Sequence, residues 1–365
     1  MSEVGTSVLR TLNTATVLDA LRQAQRPLRI AELASLSRLT RPTVATAVEE
    51  LKAAGLVVDS PPTTSERPRR GRPASMFQLA SAARPVLGIE VGRGTVRVLV
   101  MDLAGAVLGQ SHRDIPDPQD AVALVDQLPL AVQHAVAAAG LHTGDLHRVV
   151  VGAPGVVDPA AGHPVTHPGV TGWSQLDVPQ RVREMFDCPT IFESEANLAA
   201  VAAATTRPSS TVLAIHWAGH VSAGMVIAGR LHRGATGSAG GFWDTPFDRS
   251  DRMPPADAFA LAAEGDHAAM GAVRSMARQV VGSITPLVLA IDPDVVVVGG
   301  AAAGAGELAL QPIRDELSLR TPRAPEVVAS EWGEDLVVRG AAELARAEVW
   351  ATAMESLGRT PATAR

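Results

Sequence analysis

The chain is short of several residue types, and each shortage narrows what it can be. Its 365 residues include one cysteine, Cys188, which excludes an internal disulfide and any cysteine-built zinc site. Cys188 falls in a run expected to be a buried strand. Lysine is almost absent, and there are six phenylalanines, five tryptophans and no tyrosine. No apolar run approaches the roughly 20 residues of a membrane span, and the opening Met-Ser-Glu-Val has no signal-peptide character. A cytoplasmic protein with no membrane partner is expected. Aliphatic residues are plentiful: the 46% hydrophobic content is enough for sizeable cores in a small module plus one large or two medium domains.

Charge is unevenly spread. Residues 1–84 carry 12 Lys+Arg against 7 Asp+Glu, whereas the whole chain has 32 against 38. A basic head on an acidic body suits a DNA-binding module joined to something that does not touch DNA.

The stretch Ile30 to Val58 reads as two short helices, a tight turn and a strand. Ala31, Leu33, Ala34 and Leu36 place small and apolar side chains on the first helix. Leu39 anchors the turn, Thr40 can cap the next helix, and Pro42 suits its first turn. Val44, Ala47, Val48 and Leu51 recur at i, i+3, i+4 and i+7, a buried stripe opposite a face carrying Arg41, Thr43 and Thr46. These three are the candidates to face base edges in a major groove.

Gly55 stops the helix, Leu56 to Asp59 is a short β-run, and Ser75 to Leu79 returns as a second strand. The whole is a winged helix-turn-helix. Its tip, Arg67-Pro-Arg-Arg-Gly-Arg-Pro73, resembles the core of AT-hook segments, which lay arginines in a narrow minor groove. A flexible, solvated linker is the other description. Under either one, Arg69, Arg70 and Arg72 are candidates to meet phosphate or minor groove.

From Pro85 the pattern becomes α/β. Val86 to Val91, Thr95 to Asp102 and Ala106 to His112 form a meander. A helix (Gln119 to Ala139), a strand (Arg148 to Gly152), a helix (Gln175 to Phe186), a strand (Pro189 to Glu193) and a helix (Ala196 to Thr205) follow. Thr211 to His216, Ser222 to Ile227 and Arg230 to His232 restart the theme, and Pro293 to Gly300 is a further strand. The two halves look like a duplication, with two unrelated α/β halves as the alternative. The expected division is 1–84 for the head, 85–205 for a first lobe and 206–365 for a second.

The order of motifs resembles the ROK family (repressors, open reading frames and sugar kinases), specifically its transcriptional regulators. In the head, the resemblance rests on Leu39-Thr-Arg-Pro-Thr-Val44 and Glu50-Leu51…Gly55-Leu56-Val57. In the body it rests on Gly88-Ile-Glu-Val-Gly92, Gly152-Ala-Pro-Gly-Val-Val-Asp158, Gly172-Trp173, Glu193…Ala196-Asn197, Gly229-Arg-Leu-His-Arg-Gly-Ala235 and Pro293…Gly299-Gly300. It implies a two-lobed, actin-like, ribonuclease H-like ATPase fold that holds a sugar in its cleft.

Departures from the family pattern are informative. The kinases' Asn and general-base Asp correspond to Ser194 and Glu195 here. A glutamate reaches one methylene further, and a misplacement of about 1 Å can cost on the order of 100-fold in rate. The Glu and His of the family's sugar site correspond to Gly241 and Asp244. Around the first phosphate hairpin stand Glu90, Arg93 and Gly94. The second, normally Gly-x-Gly-x-Gly, reads His220-Val-Ser-Ala-Gly224, so side chains replace bare backbone that would approach phosphates. The family's zinc ligands are missing, with Asp244 to Asp251 in their place. His163 and His167 have a spacing a metal could use, but no third ligand is placed beside them. Phe242 and Trp243 can stack on a ligand, fill the cavity or face a partner.

The expectation is therefore a DNA-binding repressor on a palindromic operator, homodimeric or tetrameric, with no cofactor, no metal and no kinase activity. Ser194, Glu195, Gly241 and Asp244 are the candidate effector-pocket residues. The competing readings are a sugar kinase with an added DNA-binding head, and a sugar-responsive repressor with an altered ligand.

Overall fold

The computed structural model describes residues 3–60, 75–92, 94–115, 117, 121–166, 177–208, 210–217, 221–241 and 255–358. Arg69, Arg70 and Arg72 of the basic tip lie outside these residues, as do Arg93, His167, Gly172, Trp173, His220 and the segment from Phe242 through Asp244 to Asp251.

The head contains α1 (Glu3–Ala24), β1 (Leu28–Arg29), α2 (Ile30–Ser37), α3 (Arg41–Ala53), β2 (Val57–Ser60) and β3 (Met76–Leu79). The local signals act as read. Thr40 is extended and its hydroxyl accepts from the Thr43 N–H at 3.4 Å, with Pro42 in the first turn. Val44, Ala47, Val48 and Leu51 are at most 2% exposed; burying a Val or Leu side chain stabilises by about 1.5–3 kcal/mol. Gly55, at φ 68°, ends α3 in the left-handed region. The wing is a three-stranded antiparallel sheet in which β3 lies between β1 and β2.

Two features of the head go beyond the sequence reading. Leu36 is 57% exposed, and of the apolar positions on α2 only Leu33 is fully buried. Helix α1 was not anticipated at all. Its buried Val17, Leu18 and Leu21 have helical spacing, but Leu9 and Leu12 on the same helix are exposed, so no clean amphipathic pattern marks it.

The body continues with β4 (Val86–Val91), β5 (Thr95–Met101), β6 (Val107–Asp114), α4 (Ala121–Ala138), β7 (Arg148–Ala153), β8 (Val156–Asp158), β9 (His163–Thr166), α5 (Val178–Arg183), β10 (Thr190–Ser194) and α6 (Glu195–Thr205). The second half runs through β11 (Val212–Trp217), β12 (Val221–Ile227), β13 (Arg230–Leu231), α7 (Pro255–Ala263), α8 (His267–Ile291), β14 (Val295–Gly300), α9 (Ala301–Gly304), α10 (Glu307–Arg320), β15 (Glu326–Ala329) and α11 (Leu336–Gly358). Cys188 sits in a bend before β10 rather than in a strand, half-buried, and its burial pushes the thiol pKa up. Trp217 is core, edge-on to Phe259 at 5.5 Å. Among the described residues no helix is long and apolar enough to cross a membrane.

The duplication is real in topology. The first sheet runs β10-β7-β4-β5-β6 and the second, read in the matching direction, β15-β14-β11-β12-β13. In each, an antiparallel meander is extended on one side by two parallel strands. The closing helix of each half crosses to the other: α6 packs on β11 and β12, α11 packs on β4 and β7, and the two helices pack on each other. Packing therefore joins the last helix to the first lobe, where division by chain position puts it in the second.

Glycines permit these close crossings. A Cβ on Gly224 would stand 2.0 Å from the Ala196 carbonyl oxygen, and one on Gly88 would stand 2.5 Å from the Ala342 nitrogen. Helix α11 also carries the head. Leu344, Val349, Trp350 and Ala353 share one continuous core with Val17, Leu18 and Leu21 of α1. The Arg22 guanidinium lies 5.2 Å from the centre of the Trp350 ring, within cation–π range. Glu343, buried in the same helix, accepts from Arg339 at 2.8 Å and from Arg346 at 2.5 Å.

Candidate nucleic-acid interface and interlobe cleft

The candidate recognition face is built by α3. Its buried stripe fixes the helix rotation, which leaves Arg41 and Thr46 exposed and Thr43 half-exposed. The Thr43 hydroxyl lies 2.8 Å from that of Thr40, and the Thr46 hydroxyl donates to the Pro42 carbonyl at 3.1 Å. With its proton engaged on the helix, Thr46 presents oxygen lone pairs outward, so it can accept a hydrogen bond from a base or water. Arg41 stands at the first turn, where a side chain reaches furthest beyond the helix end. A groove of about 380 Å³ separates α3 from α1, with Asn13, Pro42, Thr43 and Thr46 on its walls. Asn13 is thus a polar neighbour of this face that sequence reasoning missed, because α1 itself was missed. The other predicted DNA contacts, Arg69, Arg70 and Arg72, lie outside the described residues.

In the body, the start of α6, which carries Ser194 and Glu195, and the segment that ends at Gly241 both meet β12. Ser194 and Glu195 stand at the start of α6, whose next residue, Ala196, touches Gly224 of β12. The neighbouring Ala223 donates its N–H to the Gly240 carbonyl at 3.0 Å, which brings in Gly241. Asp244 is outside the described residues.

The start of α6 is occupied by the protein's own hydrogen bonds. Ser194 is 8% exposed, and its hydroxyl caps α6 by accepting from the Asn197 N–H at 3.3 Å. Glu193 accepts from the Ser194 N–H at 2.9 Å, from the Asn197 amide at 2.8 Å and from Arg233 at 2.5 Å. Arg233 follows β13, so this ion pair joins second lobe to first across the cleft. Glu195 is 4% exposed. Glu193 and Arg233 were not singled out as site residues; only their partnership across 40 positions reveals them.

The first phosphate hairpin has also been put to structural use. Glu90 is 4% exposed at the end of β4. Its Oε1 lies 3.6 Å from Arg97, which donates to Glu334 at 2.6 Å and lies 3.6 Å from Asp335. The Val338 N–H, in the first turn of α11, also bonds the Glu90 carboxyl, as a helix cap would. Burial dominates and pushes the Glu90 pKa from 4.5 up to about 7, with Arg97 pulling the other way. A carboxyl raised on folding stabilises the fold fully below its unfolded pKa, and that contribution is lost as pH rises through the folded value. A rise from 4.5 to about 7 corresponds to about 3 kcal/mol. Wild-type stability relative to Glu90→Gln is expected to fall by that order between pH 4.5 and 7.5. Denaturant unfolding of both proteins across this range checks it, and parallel pH profiles would remove the assignment.

On the second hairpin, Ser222 and Ala223 are buried in β12, and Gly224 serves the approach of α6. His163 begins β9. Among the described residues no three His, Cys, Asp or Glu side chains gather as a metal would require.

A helix-turn-helix head with a capped, solvent-facing recognition helix, seated on a duplicated two-lobed α/β body, is the architecture of a family of regulators and sugar kinases. The chain belongs to the ROK family: the ROK family profile matches residues 86–250 and 241–348, and the IclR helix-turn-helix domain matches residues 11–61. It is similar to the xylose repressor of Caldicellulosiruptor bescii, 20% identical over 361 residues, covering 86% of this chain and 89% of that protein. It is also similar to the glucokinase of Streptomyces coelicolor, 23% identical over 316 residues, covering 71% of this chain and 97% of the kinase. Among solved structures, a ROK family transcriptional regulator homologous to the E. coli MLC protein superposes with a TM-score of 0.70 at 18% identity, covering 96% of this chain and 99% of that one. The ROK glucokinase of Streptomyces griseus, solved with glucose and AMPPNP, superposes with a TM-score of 0.62 at 23% identity, covering 72% of this chain and 99% of that one.

Proposed function

We propose that the protein is a cytoplasmic DNA-binding transcriptional repressor whose body assembles the chain into a symmetric oligomer and does not phosphorylate sugars. The observation that carries this reading is the α3 face. Arg41, Thr43 and Thr46 point outward from a helix whose cap and buried stripe are intact. Two such heads related by a two-fold axis read a palindrome. The xylose repressor's match along most of both chains supports the same reading.

Loss of kinase activity is supported by the roles the remaining groups have taken. Ser194 caps α6, Glu193 is neutralised by Arg233, and Glu90 serves α11 and Arg97. Each is engaged in holding the fold. The test has two arms. The purified chain is expected to bind duplex DNA from upstream of its own operon, with affinity falling steeply as salt rises. It is expected to form no ADP from ATP with any pentose or hexose above the no-sugar control. Sugar-dependent ADP formation that disappears in Glu195→Ala would restore the kinase reading.

A sugar-sensing repressor is the second reading. It is favoured by two buried polar atoms without a hydrogen-bond partner among the described residues, Asn197 Oδ1 and Ser222 Oγ. Buried polar atoms usually have partners, and a ligand hydroxyl can supply one. Calorimetry against a sugar panel with xylose first separates a sensor from a ligand-blind scaffold.

A further inference from the structure

Among the described residues of the head, most cations are committed within the protein. Arg10 pairs with Glu50, Arg22 with Asp19 at 3.2 Å, Arg26 with Glu32 at 2.9 Å and Lys52 with Asp59 at 2.7 Å. Arg84 donates to the Ala54 carbonyl at 2.8 Å, and Arg29 is engaged as well. Among the described residues of the head, Arg38 and Arg41 alone have side chains with no such partner. Both are exposed, and they flank Thr40, the cap of the recognition helix.

Arg38 is also in an unusual conformation. It ends α2 at φ 57° and ψ 29°, in the left-handed region. Glycine or asparagine takes that conformation at lower cost, so an arginine here works against local backbone preference. Strain of this kind at an exposed, unpaired cation points from backbone to function.

We propose that Arg38 is a DNA-backbone contact, its guanidinium binding a phosphate beside the groove that α3 enters. The inference rests on α3 being the DNA-reading helix. Arg38 stands on the turn before that helix, off the face of Arg41, Thr43 and Thr46, where the duplex offers backbone rather than base edges. Its planar fork suits a phosphate's paired oxygens, and the dipole at the start of α3 adds positive potential at the same point. Arg41, inside the helix, keeps the base-reading role. One arginine then positions while the other specifies.

The test uses the full chain and a fluorescent duplex from its own upstream region, titrated between about 50 and 300 mM salt. Arg38→Gly and Arg38→Ala are each expected to weaken binding about 5- to 10-fold and to lower the slope of log K against log salt by about 1. The preference for that duplex over a scrambled one is expected to persist. Arg38→Gly relieves the left-handed strain, so it should melt no lower than wild type, which separates lost contact from lost folding. Wild-type affinity and slope in both variants would overturn the phosphate contact while leaving the DNA reading intact. Weaker binding with an unchanged salt slope would assign Arg38 to another kind of contact and overturn it too. A wild-type chain that fails to bind the duplex at all would remove both.

Discussion

Arg41→Ala is expected to weaken operator binding by roughly 5- to 150-fold and to flatten the preference for operator over scrambled DNA. The magnitude follows from the about 1–3 kcal/mol that an arginine contributes when it reads a base edge bidentately. Arg41 is exposed, has no intramolecular partner among the described residues and lies in the first turn of α3. Its removal leaves no buried charge unpaired and disturbs no core contact, so the fold should be untouched. Thr40 still caps the helix, and the buried stripe still sets its rotation. The informative quantity is the ratio of affinities for operator and scrambled duplex. A residue that only touched phosphate would lower both affinities together; a base reader lowers the specific one more. Fluorescence anisotropy with both duplexes at fixed salt measures it. An unchanged ratio would move Arg41 out of the base-reading role.

The largest stability effect is expected at Gly340→Val. A Cβ at Gly340 would stand 1.9 Å from the Leu198 carbonyl oxygen and 2.5 Å from its carbonyl carbon, both backbone atoms of α6. No rotamer relieves a backbone clash, so α11 must move off α6. On its other side α11 meets Gly88 of β4, and near its end it carries the head through Val349 and Trp350. Overpacking in a well-filled core typically costs about 1–3 kcal/mol and can exceed that; a valine on a helix crossing that joins both lobes belongs at or above the upper end. Melting temperature should fall, and DNA binding should weaken because the platform under α1 shifts. The control is Gly282→Ala in α8, where a Cβ meets nothing within 4 Å. That change should be neutral or stabilise by up to about 1 kcal/mol. A Gly340→Val protein that melts with wild type would mean that α6 and α11 do not cross so closely.

Much of the head was legible because its signals are local. Thr40, Pro42 and Gly55 act within one turn of their own positions, and the stripe from Val44 to Leu51 repeats at a helical period. Helix α1 escaped because its apolar residues serve two surroundings. Val17, Leu18 and Leu21 face a core shared with α11, while Leu9 and Leu12 stay exposed. Leu36 stands on α2 as read, yet it is exposed, because side-chain type does not by itself say which face is covered. In the body, strand order of type was readable from alternating apolar runs and glycines. Sheet partnership was not.

By itself the sequence determined a winged helix-turn-helix head, the charge contrast between head and body, and the substitutions at Ser194, Glu195 and Gly241. Each is set by residue type, short-range spacing or motif order. Tertiary structure decided that the closing helices α6 and α11 exchange lobes, and that α11 is the seat of the head. It also decided what the substituted positions do: Ser194 caps a helix, Glu193 meets Arg233 across the cleft, and Glu90 meets α11 and Arg97. Two of these partnerships, Glu193 with Arg233 and Glu90 with Val338, join residues 40 and nearly 250 positions apart. Local periodicity carries no record of such pairings, because burial and charge neutralisation select them only when the two lobes close on each other.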